Sequence, residues 1–369
     1  MLSRLHSQYR ATGADLPFGD PLRAHGVAME GYFWRVTDRR RQRSIIALIG
    51  VNRGPRGTWA TLGFAAHSTG SAASSETAPT ARAHVECASN GGDPSSVLAL
   101  DAHPGAWADP RRLGARAGEA FVASRDRVHV DLGEGARLDL RVTEPKPWPR
   151  RRFGGSSVFH AIPALNQYWH PWLLGGCAHG TAVVGGETWD LDGCEVYAEK
   201  NWGAEGFPDA WWWGQAHGFD DEGACVAFAG GQVTAGPFAT EVTALVVRLP
   251  DGTVVRAGNP VVSPVRAAVT DERWRLRGRT GRWRLDVDAE APLRAAHVLP
   301  VPLPSEHRNT AGAIEHLSGR LSVRVRHGSR LVWQGTSTVA GLEHGGLARA
   351  EAELRRRGAP PGAVGASPQ

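Results

Sequence analysis

Across 369 residues the chain sets 42 Lys and Arg against 37 Asp and Glu, for a net charge of +5, and it is 41% hydrophobic with 46 Gly and 24 Pro. That mixture folds into two domains or one large all-β domain rich in turns. All but two of the basic residues are arginines spread along the chain, without the basic stripe that nucleic acid requires, so nucleic acid is not an expected partner.

From the N-terminus, "MLSRLHSQYRATGADLPFGD" lacks the apolar core of a signal peptide. No later run reaches the roughly 18 apolar residues of a membrane span. The first element is "MEGYFWRVTDRRRQRSIIALIGV", in which Glu30 and Gly31 lead into an aromatic strand at Tyr32–Trp34, a polar turn and an apolar strand. The stretch from His67 to Ser96, rich in Ser, Ala, Gly and Thr, is predicted as loop. In "RVHVDLGEGARLDLRV", Val128, Val130 and Leu132 share a face, the chain turns at Gly133–Gly135, and Leu138, Leu140 and Val142 return. The proline-rich "EPKPWPRRRFGG" marks a connection. Beyond it "WGAEGFPDAWWWGQAHGFDDEGACVAFAGG" repeats the acid–glycine–aromatic order of the first element, which suits two similar β domains in tandem.

Three further hairpins turn at Pro250–Gly252, near Gly281 and at Gly328–Ser329. Period-two alternation with glycine-containing turns means antiparallel strands with one wet face, and so many of them argue a barrel or sandwich. Helix is expected only at Gly346–Gly358, followed by a disordered tail. Cys87, Cys177, Cys194 and Cys225 form neither a CxxC pair nor a zinc spacing, which favours a cytoplasmic protein with free thiols. His160, His170 and His179 lack helical ligand spacing, and no phosphate-cradling glycine loop is present, so neither a metal nor another cofactor is expected.

Eight of the fourteen tryptophans fall between Trp148 and Trp213, with Tyr168 and Tyr197 among them. An aromatic core or a domain interface is the plainer account of such a cluster. Alternation adds detail: Glu195, Tyr197, Glu199 and Asn201 share one face of a strand, and Trp211, Trp213 and Gln215 share one face of the next. Carboxyl, phenol and indole on one face are the lining expected of a ligand cavity inside a barrel. A carboxyl among indoles is desolvated and stays protonated near neutral pH, ready to protonate an alkene. The aromatic faces then stabilise the carbocation. The competing account of Glu199 is an ion pair; Lys200 points to the opposite face, which leaves an arginine from elsewhere.

The segments "LNQYWHPWLLGG", "YAEKNWGAEGFPDAWWWGQ" and "GTSTVAGLEHGG", with "MEGYFWRV" before them, resemble the tocopherol cyclase family. The resemblance implies an all-β fold of two tandem lipocalin-like domains, spanning 15–155 and 156–346, with the helix and tail at 347–369. It also implies a cofactor-free enzyme, formally an isomerase, that closes a ring by adding a phenol oxygen to a protonated prenyl double bond. Carotenoid 1,2-hydratases, more distantly similar, carry Tyr-x-Asp-x-Asn with the aspartate as proton donor, and Tyr197, Glu199 and Asn201 fall on those positions. Glu199 is then the expected general acid and Tyr197 its orienting partner. Tyr168, Trp172, Asn201, Trp202, Trp211, Trp213 and Gln215 are the expected substrate contacts, and Glu30 is a second candidate acid. The expected partner is a hydrophobic prenylated small molecule, with peripheral membrane contact as its route of access. Ala216–His217 replaces the family's usual Cys-Asn, which places the reaction class above the particular substrate. A hydratase, a pericyclic cyclase and a non-catalytic isoprenoid-binding protein are the alternatives.

Overall fold

The computed structural model describes residues 4, 27–69, 96–109, 112–149, 154–157, 159, 165–235, 238–359 and 367–368. The 70–95 part of the expected loop, Cys87, His160 and all of the expected tail beyond 359 except 367–368 lie outside them.

The alternating segments are antiparallel strands in two sheets. The first sheet begins with β1 (Met29–Asp38), β2 (Arg43–Gly54), β3 (Gly57–Ser68) and β4 (Ser96–Pro104). It continues through β5 (Trp107–Ala108), β6 (Gly114–Ala117), β7 (Phe121–Ser124), β8 (Arg127–Asp131) and β9 (Ala136–Thr143). It closes with β10 (Tyr168–Leu173), β11 (Cys177–Val184), β12 (Glu187–Asp190) and β13 (Glu195–Gly203). The second sheet runs from β14 (Trp211–Ala216), β15 (Cys225–Ala235) and β16 (Phe238–Arg248) to β17 (Val254–Ala257) and β18 (Val265–Val269). Then come β19 (Arg273–Thr280), β20 (Trp283–Glu290), β21 (His297–Leu303), β22 (Arg308–His327) and β23 (Arg330–Gly345). The helix α1 (Leu347–Arg356) falls where its helix formers place it and packs Ala350 and Leu354 on Val298 and Ala311.

The two aromatic strands hold equivalent places, β1 between β2 and β13, and β14 between β15 and β23. This is the all-β architecture of two lipocalin-like domains. The boundary differs from the expected one at 155/156. Strands β10 to β13 return to the first sheet, where β13 pairs with β1 in the register Phe33↔Glu199 and Tyr32↔Lys200. The sheets part between Gly203 and Trp211. Alternation predicts that a strand forms; it carries no information about which distant strand will pair with it.

Each sheet curls around its own core. Tyr32, Trp34, Val36, Val196 and Ala198 point into the first, and Trp212, Ala216, Phe228 and Trp274 into the second. Each fully buried large side chain contributes about 1.5–3 kcal/mol through removal from water. The opposite faces of β1, β13, β14 and β15 meet one another, packing Phe33 and Tyr197 against Trp213, Ala227 and Ala229. A polar clamp crosses this seam. Fully buried Arg35 donates to Thr37 Oγ1 and Gln215 Oε1, each at 3.0 Å, to the Leu317 carbonyl at 3.2 Å and to that of Val339. Burial lowers its pKa to about 10, so it stays charged at neutral pH.

Candidate active site

The seam is not closed along its whole length. It encloses a cavity of about 510 Å³ lined from the first sheet by Phe33, Ile46, Leu48, Trp169, Glu199 and Asn201. The second sheet supplies Trp211, Trp213, Ala229, Val242, Ala313, Glu315 and Glu343. The expected cavity inside a barrel is therefore corrected: the barrels are filled by their own cores, and the carboxyl–indole face looks outward across the seam. Alternation sorts side chains onto two faces without stating what covers either one.

Glu199 is 5% exposed, and its Oε2 accepts three hydrogen bonds: from the Tyr197 hydroxyl at 2.5 Å, Trp169 Nε1 at 2.8 Å and Trp213 Nε1 at 2.8 Å. Trp213 reaches across from β14, so this carboxyl is fixed by both sheets. Among the described residues it has no ion-pair partner, neither Lys200 nor an arginine. Burial raises its pKa, and the three donors only partly oppose that rise. With Oε2 engaged, Oε1 is the oxygen left to carry a proton.

The other expected residues divide into two groups. Asn201, Trp211, Trp213 and Tyr168 line the cavity beside Glu199. Two glycines make room for them. A Cβ on Gly345 would lie 1.9 Å from the Trp211 ring, and one on Gly31 would lie 2.1 Å from Asn201 Oδ1. Tyr197 stands behind Glu199 with its hydroxyl bonded to it, and burial pushes its own pKa well up, so it remains a donor. Trp202 stacks on Tyr168 with ring centres 5.5 Å apart, and Gln215 is held by Arg35; neither lines the cavity.

Trp172 is misplaced by the sequence reading. Trp169 sits opposite Asn201 on the seam side, while Trp172, three residues further on and so on the other face of β10, packs in the first barrel's core. Trp169, not Trp172, is the indole at the acid. Glu30 is also excluded as a proton donor. It pairs with Lys200 at 2.9 Å and with Arg53, and accepts from the Tyr32 hydroxyl at 3.0 Å. Burial alone would raise its pKa, but these two cations bring it below the usual value. Glu195 accepts from the backbone N–H groups of Gly218 and Gly223 at 2.9 and 3.3 Å, a turn-fixing role.

Two acids escaped the sequence reading. Glu343 on β23 lies between Trp213 and Glu315 in register, and both carboxyls line the cavity opposite Glu199. Burial raises the pKa of Glu315 well above the ordinary range and that of Glu343 to about 7. The available signal was the dipeptide Glu-His, at 315–316 and again at 343–344, placing an acid on a face otherwise marked by Ala313, Leu317, Gly341 and Gly345. Among the described residues no group of His, Cys, Asp and Glu side chains is arranged to hold a metal ion, and no helix is long and apolar enough to cross a membrane. His170 is buried with its pKa lowered to about 3, and His179 bonds Thr143 Oγ1 at 2.9 Å.

Residues 145–346 match the tocopherol cyclase-like family. A stretch of 73 residues is 37% identical to the probable chloroplastic tocopherol cyclase of Oryza sativa subsp. japonica, covering 19% of this chain and 15% of the rice protein's length. Among solved structures the fold is similar to CghA with Sch210972, at a TM-score of 0.53 and 11% identity over 87% of this chain and 89% of that one. It is also similar to kievitone hydratase from Nectria haematococca, at a TM-score of 0.50 and 10% identity over 91% and 92% of the two chains. With the family match spanning more than half of its length, the chain belongs to the tocopherol cyclase-like family.

Proposed function

We propose that the chain is a cofactor-independent, acid-catalysed cyclase acting on a hydrophobic prenylated phenol or hydroquinone, formally an isomerase. The observation that carries this reading is Glu199: a buried carboxyl with no cation beside it among the described residues, held on one oxygen by three neutral donors at the wall of an aromatic cavity. A protein that merely bound apolar ligands would gain nothing from such a group. The other carboxyl oxygen delivers its proton to the prenyl double bond. The faces of Trp211, Trp213 and Phe33 border the space where positive charge would develop, and this aromatic lining favours the cation over bulk water. Attack by the tethered phenol oxygen then closes the ring. Tyr197, Trp169 and Trp213 are positioned to stabilise the carboxylate that proton transfer leaves behind.

Turnover of a prenylated hydroquinone in heavy water tests the reading. One deuterium should appear on the ring methylene beside the new ether carbon. A cyclic product without deuterium would replace alkene protonation by a pericyclic closure, and a tertiary alcohol in place of the ring would identify water as the nucleophile.

A further inference from the structure

The cavity wall opposite Glu199 carries two acids that the proton donor does not use. Glu315 and Glu343 face each other in register on β22 and β23, and each carboxyl lies within electrostatic reach of the other. Two neighbouring buried carboxyls do not readily both ionise, so the pair keeps at least one proton at neutral pH. Glu343 also accepts from Trp211 Nε1, which fixes its orientation toward the cavity. Glu315 is only 2% exposed and lines the same cavity, yet its Oε1 has no hydrogen-bond partner. A buried carboxyl oxygen left in this way is destabilising until a donor reaches it. Among the described residues neither acid has an ion-pair partner; Arg35 acts on Glu315 only from a distance. The pair is therefore an acceptor site in a predominantly apolar cavity, and an O–H is the donor that would complete it.

We propose that Glu315 and Glu343 are the seat of the substrate's ring-closing hydroxyl, with Glu343 as the base that takes its proton, an assignment that rests on Glu199 as the proton donor. The electron pair of the prenyl double bond forms a C–H bond with the Glu199 proton, leaving the Glu199 carboxylate. An oxygen lone pair of the phenol forms the C–O bond to the resulting cation. The phenolic O–H bond breaks, its electrons stay on oxygen, and the proton passes to Glu343, so the pair goes from one proton to two. The cavity's net charge is the same before and after, and water admitted as product leaves returns the proton from the pair to Glu199. Burial holds Glu343 near 7, where a base is divided between its two forms at neutral pH and works best.

The seat is tested by binding and by turnover. Tryptophan fluorescence titrations compare a prenylated hydroquinone with its analogue in which hydrogen replaces the ring-closing hydroxyl. The wild-type chain should favour the hydroxylated ligand by about tenfold or more, the scale of one hydrogen bond to a charged group. Glu343→Gln keeps an acceptor and should bind within a few-fold of wild type while losing about 10²-fold in kcat. Glu343→Leu should lose the preference for the hydroxyl. Equal binding of the two ligands by the wild-type chain, a measurement that needs no variant to fold, overturns the seat. A Glu343→Gln variant with normal kcat beside an inactive Glu199→Gln also overturns it, and leaves the proton donor standing. Loss of the hydroxyl preference in Glu343→Leu beside a fully active Glu199→Gln supports the seat and removes Glu199 as the donor.

Discussion

Replacing Glu199 by glutamine should separate activity from stability in opposite directions. Glutamine places a carbonyl oxygen where Oε2 lies, so the donors Tyr197, Trp169 and Trp213, now at 2.5, 2.8 and 2.8 Å, keep their acceptor. The amide nitrogen replaces Oε1 and has no proton acidic enough to transfer. A lost general acid slows turnover by roughly 10² to 10⁴, which is about 2.7–5.5 kcal/mol of barrier. Stability moves the other way. Because burial raises the folded-state pKa, the unfolded chain ionises Glu199 at a lower pH than the folded chain does. Below the unfolded pKa, near 4.5, both states are protonated and the contribution to stability is intact. As pH rises through the folded value it is lost, at about 1.4 kcal/mol for each unit by which the two pKa values differ. Glutamine has nothing to ionise, so the variant should match wild type at pH 4.5 and exceed it at pH 8. Thermal unfolding followed by circular dichroism at both pH values, with product chromatography for turnover, gives the comparison. If the variant unfolds more easily at pH 8 and its activity falls only with the folded fraction, Glu199 is a structural acid and the catalytic argument fails.

The same linkage applies to Glu343, whose pKa rises from 4.5 to about 7, so wild-type stability to urea should decline between those pH values; in Glu343→Gln that part of the slope should vanish. Gly345→Ala places a methyl group within 1.9 Å of the Trp211 ring, so it should push the indole into the cavity and weaken binding of a prenylated hydroquinone at least tenfold. Intact barrel cores in that variant would appear as an unchanged circular dichroism spectrum, and unchanged affinity would mean that Trp211 does not shape the pocket.

Much of this arrangement was legible in the sequence because a strand's period of two is a local property. The hairpins turning at Gly252, Gly281 and Gly328 formed where their alternation placed them, each glycine with the positive φ that its turn requires. The division of Tyr197, Glu199 and Asn201 from Val196 and Ala198 was also local, as was the separation of Glu199 from Lys200. What could not be read were the long-range facts. The pairing of β13 with β1 moved the domain boundary, and the register of β10 on β13 set which of its faces meets the acid, bringing Trp169 there in place of Trp172. The junction of Glu315 with Glu343 required two strands to align residues 28 positions apart, and neither strand's own pattern specifies that register.

Glu199 belongs to a strand of the first barrel, while Trp213, which fixes it, and both acids facing it belong to the second. Neither half on its own holds the complete set of groups around the cavity, so the site exists only where the two halves meet. That location also frees the pocket from the constraints of folding. Leu48, Val242 and Ala313 shape the cavity from outward strand positions and belong to neither barrel's packed interior. Exchanges at these positions can recut the pocket for a longer prenyl chain or a different ring while both barrels fold as before. Divergence in substrate among relatives should therefore concentrate on outward-facing residues of the seam strands, and the inward-facing ones should drift only in volume-conserving steps.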